Sequence, residues 1–163
     1  ELSKEKDQDI YLNVANFFLQ NTDQSKDYFV RAKATASMGK FLTNKSDPNN
    51  PVIIKMNMVV FDRLKELLRD DRRKIKINAC AALSDDDAKF DMNPDKRTYE
   101  SIDELIDIAR NDIDGFVRRK AEGSANIIRE WVAAWANKPL TITAKSQVRH
   151  SNLTQINSSS FTS

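Results

Sequence analysis

Asp114-Gly115-Phe116-Val117-Arg118-Arg119-Lys120-Ala121 opens the last long helix-compatible run of the chain, and its pattern decides the fold. An Asp suited to cap a helix is followed by an aliphatic residue beside a basic one. Ala then stands four positions after the aliphatic, on the same helical face. Two weaker copies lie upstream, Asp27-Tyr28-Phe29-Val30-Arg31-Ala32-Lys33-Ala34 and Asp71-Arg72-Arg73-Lys74-Ile75-Lys76-Ile77-Asn78-Ala79. Aligned on the aliphatic–basic pair, the copies stand at 30, 75 and 117, spaced by 45 and 42 residues.

A period of that size belongs to helix-pair repeats of the HEAT and armadillo kind. The expectation is therefore an all-α solenoid of about three antiparallel helix pairs, at about 9–42, 51–83 and 99–136. In the first pair, Ile10, Val14, Phe17 and Phe18 stand at helical spacing on a helix over Asp9 to Gln20, which is expected to have neighbours on both faces. Leu12, Ala15 and Leu19 add a second apolar side. Val30, Ala34, Met38 and Phe41 form the inward stripe of the next helix, whose Ala32, Ala36, Ser37 and Gly39 would let a neighbour approach closely.

Pro51 suits the first turn of a third helix, with Ile53, Met56, Val60, Leu64 and Leu67 on one stripe. Ile54, Met58, Phe61 and Leu68 form an adjacent one. Ile75, Ala79, Ala82 and Leu83 mark a fourth helix; Ile102, Leu105, Ile106 and Ala109 a fifth. Val117, Ala121, Ala125, Ile128, Val132 and Trp135 mark the sixth, which Lys138-Pro139 ends. Residues 1–138 then form the repeat domain, and 139–163, rich in Ser, Thr and Asn, a flexible polar tail with too little apolar area to offset ordering entropy.

The bulk numbers exclude more than they identify. Three Gly and four Pro in 163 residues argue against a turn-rich β protein. Twenty-six basic against 24 acidic residues leave a net charge of +2, too balanced to point to nucleic acid. Cys80 is the single cysteine, so no internal disulfide forms, and no apolar run approaches the roughly 20 residues of a membrane span. A cytoplasmic location is expected, and the charged start without Met is expected of a piece of a longer polypeptide.

Catalytic chemistry has little to work with. His150 is the one histidine and falls in the expected tail, so neither a Ser-His-Asp arrangement nor an imidazole zinc site can be assembled around it. Gly39, Gly115 and Gly123 are too scattered for a phosphate loop. Asp85-Asp86-Asp87 lacks the alternation and glycine of a calcium loop and reads as a solvated turn. Cys80, among alanines, reads as a buried small hydrophobe. The glycosylation patterns at Asn44, Asn152 and Asn157 matter only in a secreted protein. No catalytic residue and no metal ligand is assigned.

Candidate binding residues come from the repeat itself. Arg31, Lys33, Lys74, Lys76, Arg118, Arg119 and Lys120 recur at equivalent places. They form either a stripe along the concave face for an acidic partner or a ladder paired with Asp27, Asp71 and Asp114. The ladder is favoured, because no aromatic platform interleaves with the basic residues as single-strand binders often need. Nucleic acid and membrane are accordingly disfavoured as partners, and protein is preferred. Trp131 and Trp135 read as core or as a seam against another domain.

Asp114 to Glu122, with Ile127-Ile128-Arg129-Glu130-Trp131 after it and Ile77-Asn78-Ala79-Cys80-Ala81-Ala82-Leu83 before it, resembles the HEAT-like helical domain that closes the chain of M1 (gluzincin) aminopeptidases. The likeness covers roughly Glu1 to Lys138. It implies a non-catalytic domain that packs on a catalytic domain and shapes peptide access. The His-Glu-x-x-His and Gly-x-Met-Glu-Asn motifs of that family do not occur here, so zinc is expected only in an upstream catalytic domain and no catalytic residue carries over. The alternative is a stand-alone HEAT-type scaffold for protein partners.

Overall fold

The computed structural model describes residues 2–42, 49–85 and 94–137, and among them there are six helices and no strand. The helices are α1 (Leu2–Asn21), α2 (Tyr28–Leu42), α3 (Pro51–Leu67), α4 (Arg73–Leu83), α5 (Lys96–Asn111) and α6 (Gly115–Ala136). The described residues are all-α, in agreement with the fold class expected from sequence. Residues 43–48 of the loop expected over 43–50, the acidic run beyond Asp85, Lys138-Pro139 and the tail with His150 lie outside the described residues, as do Asn44, Asn152 and Asn157.

Local chemistry sets the helix starts. Asn50 caps α3 by accepting from the Val52 and Ile53 N–H groups, with Pro51 first in the helix. Asp114 caps α6 through Phe116 and Val117. Asp95 and Thr98 close a reciprocal capping box on α5, which starts this helix ahead of the Tyr99 expected from its apolar spacing. The middle copy of the repeat differs. Its N-cap is Arg72, which makes no side-chain cap, while Asp71 stays exposed.

Consecutive helices α1/α2, α3/α4 and α5/α6 pack on each other, α2 and α6 pack on either side of α4, and α1 and α5 on α3. Close approach between α2 and α4 depends on small residues. A Cβ on Gly39 would stand 2.8 Å from the Ala82 Cα, and Asn78 Nδ2 donates to the Ala32 carbonyl at 2.7 Å. On the other side of α4, Ser84 Oγ and Ser124 Oγ meet at 3.0 Å in a buried contact. The core is continuous and includes Met38, Leu64, Leu68, Ile75, Leu105, Val117 and Ile128, all with almost no exposure.

Apolar stripes on three helices are corrected. In α1 the buried residues are Tyr11 and Ala15, with Phe18 partly buried, whereas Ile10, Val14 and Phe17 are exposed. Both sets have helical spacing; the buried set wins because Ala15 lets the neighbour close in and Phe18 and Tyr11 stack edge-on around Phe41. The Tyr11 hydroxyl also bonds Asn57 Oδ1 on α3. In α2, Ala34, Met38 and Phe41 face inward as expected, but Val30 is 43% exposed, although its repeat equivalents Ile75 and Val117 are fully buried. In α3, Ile54 and Met58 face outward with them, while Phe61 and Leu68 are buried.

Candidate functional site

The repeat's basic residues divide into two groups according to what they touch. Arg31 is buried, pairing Nη2 with Asp70 Oδ2 and donating Nε to the Thr22 carbonyl at 3.3 Å. Lys76 Nζ lies 2.6 Å from Asp112 Oδ2, a carboxylate with only 5% of its side chain exposed. These two cations lie between helix pairs and join them. Arg73 pairs with the cap residue Asp114. Burial opposes ionisation of Asp114, yet the Arg73 hydrogen bond and the Phe116 and Val117 N–H groups hold its carboxyl below the usual range. The bridging acids are thus Asp70, Asp112 and Asp114, while Asp27 accepts from the Phe29 N–H.

The second group faces outward. Lys33, Lys74, Arg118 and Arg119 are exposed and Lys120 is half-buried. Arg118 gives Nη1 to the Asp112 carbonyl at 2.7 Å. Arg119 holds its guanidinium 4.6 Å from the Phe116 ring centroid, and Arg73 approaches the same ring at 5.1 Å. One helix pair away, Arg72 lies 5.6 Å from the Tyr28 ring, and Tyr28 touches Phe29 at 5.3 Å between centroids. Phe29 is 74% exposed, Phe116 59% and Ile113 95%. Aromatic rings therefore do interleave with cations at the starts of α2, α4 and α6, contrary to the sequence expectation.

Cys80 and Tyr11 belong to the core. Cys80 is fully buried, and burial pushes its thiol up to about 12. Burial likewise raises the Tyr11 phenol to about 12, against a smaller lowering effect of Arg97. No group of three or more His, Cys, Asp or Glu among the described residues could hold a metal. An open groove of about 740 Å³ runs between the ends of α1 and α3, with Asp23, Lys26, Asp62, Arg63 and Glu66 in its walls. Its Arg63 is committed to Thr22, through Oγ1 and the carbonyl at 3.0 Å each, and to Glu66 at 2.6 Å. Neither histidine nor cysteine lines it.

Trp131 belongs to the core at 8% exposure, with its indole N–H lacking a hydrogen-bond partner, and Trp135 is half-buried. No described helix is long and apolar enough to cross a membrane.

Arg72, Tyr28, Phe29 and Phe116 were not among the residues singled out from sequence. The signal was present in the repeat alignment. At spacings of 45 and 42, Phe29, Lys74 and Phe116 occupy one column, so an aromatic, a cation and an aromatic succeed one another in consecutive copies. Compared with protein-family models, curated proteins and solved structures, the chain matches none of them.

Proposed function

We propose that the chain is a HEAT-type solenoid of three antiparallel helix pairs, a non-catalytic domain whose work is to hold another protein surface. The observation that carries this reading is the register of the ion pairs. Arg31 reaches Asp70 and Lys76 reaches Asp112. The donors stand 45 residues apart and the acceptors 42, the spacings of the sequence copies themselves. One contact used twice between successive units is what a stacked repeat requires. The outer face of α6, with Arg118, Glu122, Asn126, Arg129 and Glu130 exposed, suits a capping helix.

The seat on the catalytic domain of a zinc aminopeptidase, implied by the resemblance to M1 enzymes, is favoured by the first unit. Ile10, Val14, Phe17 and Val30 leave apolar area exposed where the later units are closed by a predecessor. On this reading a neighbouring domain covers that face, and zinc and peptide hydrolysis belong to it.

Spin labels at positions 29, 74 and 116, exposed and equivalent in the three copies, test the array. Interaxial steps of about 8–10 Å make the first-to-third distance roughly twice the first-to-second; equal distances, as in a closed bundle, reject the solenoid. The purified chain should also leave aminoacyl-nitroanilide reporters intact. Chelator-sensitive hydrolysis would overturn the non-catalytic assignment.

A further inference from the structure

We propose that the edge formed by the starts of α2, α4 and α6 docks an acidic polypeptide segment that also carries large apolar side chains. The inference rests on the reading of the chain as a protein-holding domain and supplies its partner's chemistry.

Three observations converge on this edge. The first is charge. Arg31, Arg63, Lys65, Arg69, Arg73, Lys76 and Arg97 all have carboxylate partners. Arg72, Lys74, Arg118 and Arg119 pair with no described carboxylate; other surface cations such as Lys33 and Lys55 share this, but these four are exposed together at the starts of α4 and α6. The exposed carboxylates beside these four cations are three, Asp27, Asp71 and, one helical turn after Arg118, Glu122, and Asp27 is engaged by the Phe29 N–H. The edge therefore carries surplus positive charge in a chain that is otherwise nearly neutral, which is complementary to an acidic occupant.

The second is apolar area. Phe29 at the start of α2, and Ile113 and Phe116 at the turn into α6, have more than half of their surface in water. Aromatic residues and arginine are the types enriched where protein interfaces concentrate their binding energy. Guanidiniums over Tyr28 and Phe116 are held by the rings, so their N–H edges meet a carboxylate with less rotamer freedom left to lose.

The third observation selects polypeptide over single-stranded nucleic acid. Base stacking needs an open ring face. Phe116 has two guanidiniums against its ring, Arg73 at 5.1 Å and Arg119 at 4.6 Å, and Tyr28 has Arg72, which leaves Phe29 as the one open ring of the edge, too few for successive bases to stack on. Ile113, the most exposed apolar side chain on the edge, offers an aliphatic contact and no stacking surface.

The test is fluorescence anisotropy of the full chain with a labelled peptide alternating Glu with Leu and Phe, alongside a Lys-for-Glu peptide and an oligothymidine strand. The acidic peptide should bind, weaken as salt is raised, and outcompete both other probes. Arg72→Gln/Arg119→Gln should lower its affinity at least tenfold and Phe116→Ala should lower it as well, with helical circular dichroism unchanged. Lys55→Glu, outside the edge, should leave it unaltered. Equal binding by Arg72→Gln/Arg119→Gln and wild type, no binding at low salt, or tighter binding of the oligothymidine would overturn the proposal. Failure here leaves the spin-label distances intact, so it is distinguishable from failure of the repeat array.

Discussion

Gly39 and Ala82 bring α2 and α4 into backbone contact: a Cβ at Gly39 would lie 2.8 Å from the Ala82 Cα and 2.9 Å from its carbonyl oxygen. Neither atom can move without shifting a helix. Gly39→Ala should therefore destabilise the fold, although alanine is the better helix former by about 1 kcal/mol. Overpacking of this kind costs about 1–3 kcal/mol and outweighs that gain. Gly123 is the internal comparison, since a Cβ there meets nothing within 4 Å. Gly123→Ala should raise stability by roughly 0.5–1 kcal/mol. Urea unfolding of both variants decides the matter, and shifts of the same sign would remove the close-packing argument.

The Arg31–Asp70 pair makes a different demand, because both side chains are more than nine-tenths buried. Asp70→Ala leaves a guanidinium in the interior with its carboxylate gone, and the loss should reach about 3–5 kcal/mol. Removing both charges in Arg31→Met/Asp70→Leu should cost less than that single substitution, since no buried ion is stranded. Lys96→Ala, which breaks an exposed pair with Glu100 one helical turn on, should cost at most about 1 kcal/mol. A double-mutant cycle read by chemical denaturation measures these differences. If the double variant were the least stable of the set, the pair would be a net source of stability.

How much of this could be read from the residues depends on what fixed each feature. The six helices were legible, and so was most of the α6 stripe: Val117, Ala121, Ala125 and Ile128 are buried as their spacing implies, while at its end Trp131 is buried and Trp135 only half-buried. The inward face of α1 was not legible, because Tyr11-Ala15-Phe18 and Ile10-Val14-Phe17 are equally periodic. The choice between them came from packing around Phe41 on another helix. The basic residues met the same difficulty. Arg31 and Arg118 share a repeat position, yet only Arg31 faces an acidic turn of a following unit, Asp70, and becomes buried. Cation–aromatic contacts such as Arg72 with Tyr28 join residues 44 positions apart and depend on the stacking of turns, which no local pattern encodes.

Acid should weaken the fold through its caps. Asp114 and Asp95 both have carboxyls held below their ordinary value: burial opposes this in each, and hydrogen bonds from Arg73 or Arg97 and from helix N–H groups prevail. Depressed folded-state pKa values mean that their contribution is complete above the unfolded value of about 3.9. It is lost as pH falls through the folded values. Stability followed from pH 6 downward should therefore hold to about pH 4 and then decline. Asp114→Asn keeps a capping side chain but cannot ionise, so its decline should be shallower. Parallel curves for variant and wild type would exclude Asp114 as a source of the acid dependence.

Cys80 provides a probe of opening that requires no substitution. The thiol is fully buried and its pKa is pushed up to about 12, chiefly by burial, with Asp112 adding to the shift and Lys120 and Lys76 opposing it. At pH 8 about one molecule in ten thousand would carry the reactive thiolate. Steric closure by α2 and α6 on either side of α4 reduces access further. Labelling by a disulfide reagent should therefore proceed only through unfolding, at a rate that becomes independent of reagent concentration when reclosing is slow. Gly39→Ala, which loosens the α2–α4 contact, should accelerate it, and Gly123→Ala should slow it. Rapid stoichiometric labelling of the native chain at pH 8 would mean that Cys80 is accessible, and the packing of α4 between its neighbours would have to be redrawn.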